Sequence, residues 1–342
     1  MRIATTARAS GTAWLVGARA NWPGLLLAIV VAIAATFIAD TRGGPTMLYA
    51  LLLGMALHPI SVEGSARCGI DFSAKRILRL GVALLGARIT LEQLGGLGWF
   101  NGALIVAGVL ATIGFGMVTS RLLGLDRRLG ILTGGATAIC GASAAIAIAT
   151  VLPRTETSER ELVFTIAGVT VLSTLAMILY PVIVSGLGLS PDDAGIFLGG
   201  TIHDVAQVVG AGYSISHETG DYAVLTKMLR VAMLLPVVMI LSIAVMRGRA
   251  SVEEPQLGFL MPPFLIGFVV LVVVGSMGWI PQLIGNALNE ISHACLVIAI
   301  AAVGLKTSLL DVRKVGPRAA LLLGIEALFL VGFVLLVQYF HR

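Results

Sequence analysis

Long apolar runs separated by short polar breaks make up almost the whole chain. Eleven apolar elements stand out, at 23–39, 45–60, 75–90, 100–120, 129–152, 162–185, 194–212, 222–246, 259–278, 289–306 and 317–340. Each is about 15–25 residues long, close to the ~20 that carry a helix across ~30 Å of hydrocarbon. In lipid the backbone must satisfy its own hydrogen bonds, so runs of this length predict helices. The connections are short. The pattern therefore predicts one all-α polytopic membrane domain over 1–342, with a basic cytoplasmic tail at 1–20.

Two elements depart from a plain span. Element five reads Leu132-Thr133-Gly134-Gly135-Ala136-Thr137-Ala138-Ile139-Cys140-Gly141-Ala142-Ser143. Element seven reads Phe197-Leu198-Gly199-Gly200-Thr201-Ile202-His203-Asp204-Val205-Ala206-Gln207. Both set a glycine pair ahead of small and polar residues. A glycine inside a helix costs about 1 kcal/mol relative to alanine, so the pair is the expected breaking point. The architecture expected is about nine full transmembrane helices plus two broken or re-entrant elements, 129–152 and 194–212.

Composition agrees. Hydrophobic residues are 57% of the chain and charged residues 12%, about half the share usual in soluble proteins. Lys and Arg exceed Asp and Glu by 23 to 18. That excess reads as cytoplasmic loops rather than a nucleic-acid surface. Three scattered cysteines, Cys68, Cys140 and Cys295, give no metal-ligand spacing and no disulfide framework.

Basic residues orient the chain. Arg2, Arg8 and Arg19, then Arg67, Lys75, Arg76 and Arg79, then Arg121, Arg127 and Arg128, mark cytoplasmic segments. Arg154 and Arg160 follow element five, and the acidic pair Asp192-Asp193 follows element six. Two full crossings would put that basic loop outside; two re-entrant elements would keep it inside, which fits better. Downstream, Arg247 and Arg249 fall inside, 281–289 outside, and Arg313, Lys314 and Arg318 inside. The expected topology has a cytoplasmic N-terminus and a periplasmic C-terminus. A second echo aligns Gly86-Ala87-Arg88-Ile89-Thr90-Leu91 with Gly304-Leu305-Lys306-Thr307-Ser308-Leu309, and Gly98 with Gly316. With opposite orientations, 75–120 and 289–340 would form an inverted repeat, the common build of secondary transporters.

The chemistry follows from the broken elements. A helix broken in the membrane exposes N–H groups at one stub and carbonyls at the other, and the N-terminal stub attracts anions. Gly134, Gly135, Gly141, Gly199 and Gly200 would shape such stubs, and Thr137, Cys140, Ser143, Thr201 and Gln207 would line them. An ionisable pair inside a span is a functional candidate by default. His203 is the expected proton carrier and Asp204 the expected proton or cation site. Arg88, Lys227, Arg230 and Lys306 would set a positive potential along the route, Lys227 and Arg230 as a cationic vestibule. Helix packing for the glycines, and interfacial anchoring for the basic residues, are the plainer alternatives. His58-Pro59 reads as a helix stop, and Asp71 and Ser73 as capping residues. No HExxH, GxSxG or P-loop is present, so no enzyme and no cofactor is expected.

The runs Gly69-Ile70-Asp71-Phe72-Ser73-Ala74-Lys75, 80–88, 134–144 and 200–212 together resemble the YeiH-like bacterial inner-membrane proteins, a family named for sulfate export. The likeness spans elements two to ten. It implies a bacterial inner-membrane transporter and, less directly, a sulfur oxyanion or sulfonate substrate; it supplies no site residues. The combined expectation is a secondary transporter moving a small anion by alternating access, coupled to a proton or sodium, in a homodimer. The alternative is a cation-coupled organic acid carrier or a cation/proton antiporter with Asp204 as the ion site.

Overall fold

A computed structural model describes residues 3–59, 65–89, 92, 95, 97–153, 155–246, 263–307 and 317–341. Among them every regular element is helical. In chain order they are α1 (Ile3–Arg42), α2 (Thr46–Ala56), α3 (Arg67–Phe72), α4 (Leu78–Leu85), α5 (Gly98–Leu122), α6 (Arg127–Ala138), α7 (Ala142–Val151), α8 (Ser158–Leu187), α9 (Pro191–Thr201), α10 (Val205–Ile215), α11 (His217–Ala232), α12 (Leu234–Met246), α13 (Pro263–Ser276), α14 (Gln282–Lys306) and α15 (Pro317–His341). A π-helical stretch, Ser73–Ile77, joins α3 to α4.

Among the described residues, six segments are long and apolar enough to cross a membrane: Ala20–Arg42, Gly98–Leu122, Ser158–Leu187, His217–Val245, Gln282–Lys306 and Pro317–His341. Four shorter apolar helices, α2, α7, α10 and α13, accompany them. The orientation markers Arg2, Arg154, Arg247, Arg249, Arg313 and Lys314 lie outside the described residues, as do Thr90, Leu91, Ser308, Leu309 and Gly316 of the longer echo.

The chain forms two compact units. The first, Met1–Leu85 with Pro281–Ser308, packs α14 against α1, α2 and α4. Its helices touch at glycines: Gly54 faces the Ala301 carbonyl across α14, and Gly304 faces the backbone of Leu51. Small residues let helix backbones come this close when lipid supplies no hydrophobic drive between them. His58 Nδ1 donates to the Leu305 carbonyl (2.8 Å), fastening the end of α2 to the end of α14.

Asp71 and Ser73 do not cap a helix start, because the chain runs helical straight through them. Ser73 donates to the Gly69 carbonyl one turn back (2.8 Å). Asp71 takes an ion pair from Lys306 (2.6 Å). Asp71 lies outside the six long apolar helices. Burial works against its charge, but the hydrogen bond and charge of Lys306, with Lys75 and Arg67 nearby, outweigh that and hold its carboxyl below the ordinary range.

The second unit, Gly86–Ile280 with Leu309–Arg342, holds α5–α13 and α15. Its helix starts are legible. Asp126 accepts from the Arg128 N–H (2.9 Å) ahead of α6, and Ser216 accepts from the Thr219 N–H (3.0 Å) ahead of α11. Ser190 stands before Pro191, the first residue of α9, where a missing N–H costs nothing. The core of this unit is two interrupted helices, α6/α7 and α9/α10, packed on α11, α8, α5 and α15.

Candidate functional site

The interruption of element five falls at Ile139–Gly141, and that of element seven at Ile202–Asp204. Neither lies at its glycine pair. Gly134, Gly135, Gly199 and Gly200 sit inside the ends of α6 and α9, fully helical and buried. A side chain on Gly134 would meet the Thr112 carbonyl (3.0 Å), and one on Gly199 would run into the Ala223 carbonyl. Gly134 and Gly199 act through close approach, which a continuous helical ladder permits. The turn itself needs Gly141, whose φ of +63° lies in the left-handed region.

Each interrupted helix leaves its last carbonyls without an N–H partner. Lys227 and Arg230, one turn apart on α11, take them. Lys227 Nζ donates to the carbonyls of Ile139 (2.7 Å), Ile202 (2.9 Å) and His203 (2.6 Å). Arg230 donates from Nε to Ala138 (2.7 Å), from Nη1 to Gly199 and Ile202 (both 2.9 Å), and from Nη2 to Thr137 (2.8 Å). Both side chains are buried, at 0% and 1% exposure. Expected as a cationic vestibule, the two side chains bind the carbonyl ends of α6 and α9. Two cations at two helix C-termini also match the negative ends of the helix dipoles.

The two breaks meet directly. His203 Nδ1 lies 3.1 Å from the Thr137 carbonyl. A carbonyl only accepts, so Nδ1 carries the hydrogen. Nε2 is then left buried and without a partner. One turn on, Gln207 Oε1 is also buried and unpartnered. The N–H groups that open α7, at Ala142 and Ser143, and those that open α10, at Val205 and Ala206, start at these same breaks. The Ala144 N–H lies within hydrogen-bonding reach of the Cys140 sulfur. Asp204 holds the N-cap position of α10 without a side-chain capping bond, and its own N–H goes to Ser173 Oγ on α8 (3.0 Å).

The charges can be summed. Lys227 and Arg230 answer the C-terminal ends of α6 and α9, each worth about half a negative charge. The N-terminal ends of α7 and α10, each about half positive, remain, with the Asp204 carboxylate beside one of them. With both bases charged and His203 neutral, one formal positive charge is left over.

Not every expected residue arrives here. Thr201 turns its hydroxyl back to the Phe197 carbonyl of its own helix (2.6 Å). Ser143 is exposed in the second position of α7. Arg88 pairs instead with Asp221 (3.3 Å), whose other oxygen accepts from Tyr213 (2.7 Å). Lys306 belongs to the Asp71 pair in the first unit. Thr137 contributes its carbonyl to the crossing and points its hydroxyl at Glu326 (3.4 Å).

Glu326 is the residue that the sequence reading passed over. It is a lone carboxyl in the apolar run of α15, and the rule that singled out His203 and Asp204 applies equally to it. Among the described residues, no group of three or more His, Cys, Asp or Glu residues could hold a metal.

A family model described as "Conserved hypothetical protein 698" matches residues 23–323. The UPF0324 membrane protein TauZ of Paracoccus pantotrophus is 52% identical over 92% of this chain and 93% of its own length. UPF0324 membrane proteins of Chlorobaculum tepidum and of Rhizobium meliloti are 50% and 51% identical, over 92% and 93% of this chain and 88% and 92% of their own lengths. The chain belongs to the UPF0324 membrane protein family. It is accordingly a membrane protein. No solved structure matches it. In this UPF0324 chain both helix breaks, both cations and the unpartnered His203 and Gln207 fall within the residues that the family model covers.

Proposed function

We propose that this protein is a secondary transporter of a small anion, working by alternating access around the crossing of α6/α7 with α9/α10. The observation that carries the reading is the pairing of Lys227 and Arg230 with the carbonyl ends of both broken helices, which leaves the N-terminal ends and the buried, unpartnered His203 Nε2 for a ligand. A His203 protonated at Nε2 gives an anion a donor; Gln207 adds an amide beside it. His203 or Asp204 would couple movement to a proton or a cation. A sulfur oxyanion or sulfonate is the substrate class that the sequence resemblance suggests. The carrier would sit in a bacterial inner membrane with its N-terminus cytoplasmic.

A second reading has one observation in its favour. The Asp204 carboxylate stands at the start of α10, where it could hold a sodium ion or a proton for a cation-coupled acid carrier or an antiporter.

The test is ligand-dependent melting of the purified protein with sulfate, sulfite, thiosulfate, taurine, small carboxylates and halides, each with and without sodium. A ligand present at a hundred times its Kd adds about 2.7 kcal/mol to stability. A concentration-dependent rise with a sulfur anion, lost in His203→Ala and Gln207→Ala, is the expected result. A rise with sodium and none with any anion would sink the anion site and favour Asp204.

A further inference from the structure

Glu326 is the tenth residue of α15, about 14 Å along a helix of roughly 37 Å, and is 0% exposed. α15 packs against α5, α6, α8 and α9. From α5 comes Gly116, where a side chain would stand 2.5 Å from the Glu326 carboxyl. From α6 come the hydroxyls of Thr133 and Thr137. The charged residues of these helices lie at their ends: Arg121 on α5, Arg127 and Arg128 on α6, Glu159, Arg160 and Glu161 on α8, Asp192 and Asp193 on α9. Arg128 is taken by Glu161 (2.6 Å) and Thr155 (3.1 Å). Tyr180 of α8 lies against Phe197, and His341 at the far end of α15 stacks on Phe100. No ion pair among the described residues includes Glu326.

Hydrogen positions follow from the donors. Thr133 Oγ1 lies 2.9 Å from the Leu129 carbonyl and 2.8 Å from Glu326 Oε1. A hydroxyl has one hydrogen, and a carbonyl cannot give one. An ionised Glu326 would make two acceptors compete for that hydrogen and would leave a buried charge with no cation. A carboxylic acid satisfies every group: Glu326 donates to Thr133, Thr133 donates to Leu129, and the second carboxyl oxygen accepts from Thr137.

We propose that Glu326 is a proton-binding site, a neutral carboxylic acid within the membrane-spanning part, linked to the helix crossing through Thr137. Thr137 is shared: its hydroxyl faces Glu326 while its carbonyl receives His203 and Arg230. Any rearrangement at the crossing that moves Thr137 changes the hydrogen bond that the protonated carboxyl accepts. The use of this proton in coupling rests on the carrier reading above; the presence of the proton does not.

Infrared spectra of the protein in phosphatidylcholine vesicles test it. Wild type should show the C=O stretch of a carboxylic acid at neutral pH, where exposed carboxyls are ionised, and Glu326→Gln should lose it. The glutamine amide can donate to Thr133 and accept from Thr137, so this variant keeps the packing. Thr133→Val removes the acceptor and should move the same band to higher frequency, which decides the matter even if Glu326→Gln fails to fold. A wild-type spectrum with no acid band that responds to either change overturns the proposal. The coupling is read separately, as the melting shift produced by sulfate, whose own charge is constant across the neutral pH range. It should depend on pH in wild type and lose that dependence in Glu326→Gln; equal dependence in both overturns the coupling role. Absence of any anion shift in wild type would count against the carrier and leave the infrared result standing.

Discussion

Lys227→Met is the sharpest perturbation of the crossing. The methionine fills a similar volume but donates nothing, so the carbonyls of Ile139, Ile202 and His203 lose their charged donor in a site with 0% exposure at the lysine. Each lost bond is worth about 1–2 kcal/mol. Relief of the ammonium's own desolvation offsets part of that sum, which leaves a net loss of about 2–4 kcal/mol. For a chain of this size the loss corresponds to a fall of about 3–6 °C in melting temperature. The control is Lys306→Met. It breaks an equally short ion pair, 2.6 Å to Asp71, but between side chains 50% and 40% exposed. An exposed pair contributes about 0–1 kcal/mol, so the control should shift by under about 2 °C. Melting of the two variants side by side reads the difference. Equal shifts would refute the argument, since they would mean that Lys227 does no more for the helix ends than a surface lysine does for its partner.

Two further results follow from the same structure. Gly199→Ala places a methyl against the Ala223 backbone carbonyl and should lower the melting temperature clearly, whereas Gly135→Ala meets only the flexible tip of Ile148 and should be near neutral; thermal melting of the pair compares rigid with yielding neighbours. Asp221→Asn removes the charge that Arg88 pairs with and weakens the Tyr213 bond; a loss of about 1–3 kcal/mol is expected, with coupling to Arg88→Gln in a double-mutant cycle, and strict additivity would refute the pairing.

Much of this protein is written locally. Apolar runs report helices because lipid leaves the backbone no other partner, and six of those runs return as helices of spanning length. Elements five and seven were marked by composition alone, since small and polar residues do not gather in a plain span without cause. The glycine pairs misled on one point. The cost of glycine in a helix suggested a break at Gly134-Gly135 and Gly199-Gly200, yet both pairs stay helical, and Gly134 and Gly199 lie against the backbones of α5 and α11. Packing on a neighbour outweighs about 1 kcal/mol of intrinsic preference.

The sequence by itself determined the class of protein, the helical content and the set of intramembrane ionisable residues, because hydropathy and charge are properties of short windows. Tertiary structure alone decided what those residues do. Lys227 is 88 residues from Ile139, and Glu326 is 193 from Thr133. Which carbonyl an ammonium meets, and whether a carboxyl finds a cation or a hydroxyl, depends on which helices cross, and no window of sequence contains both partners.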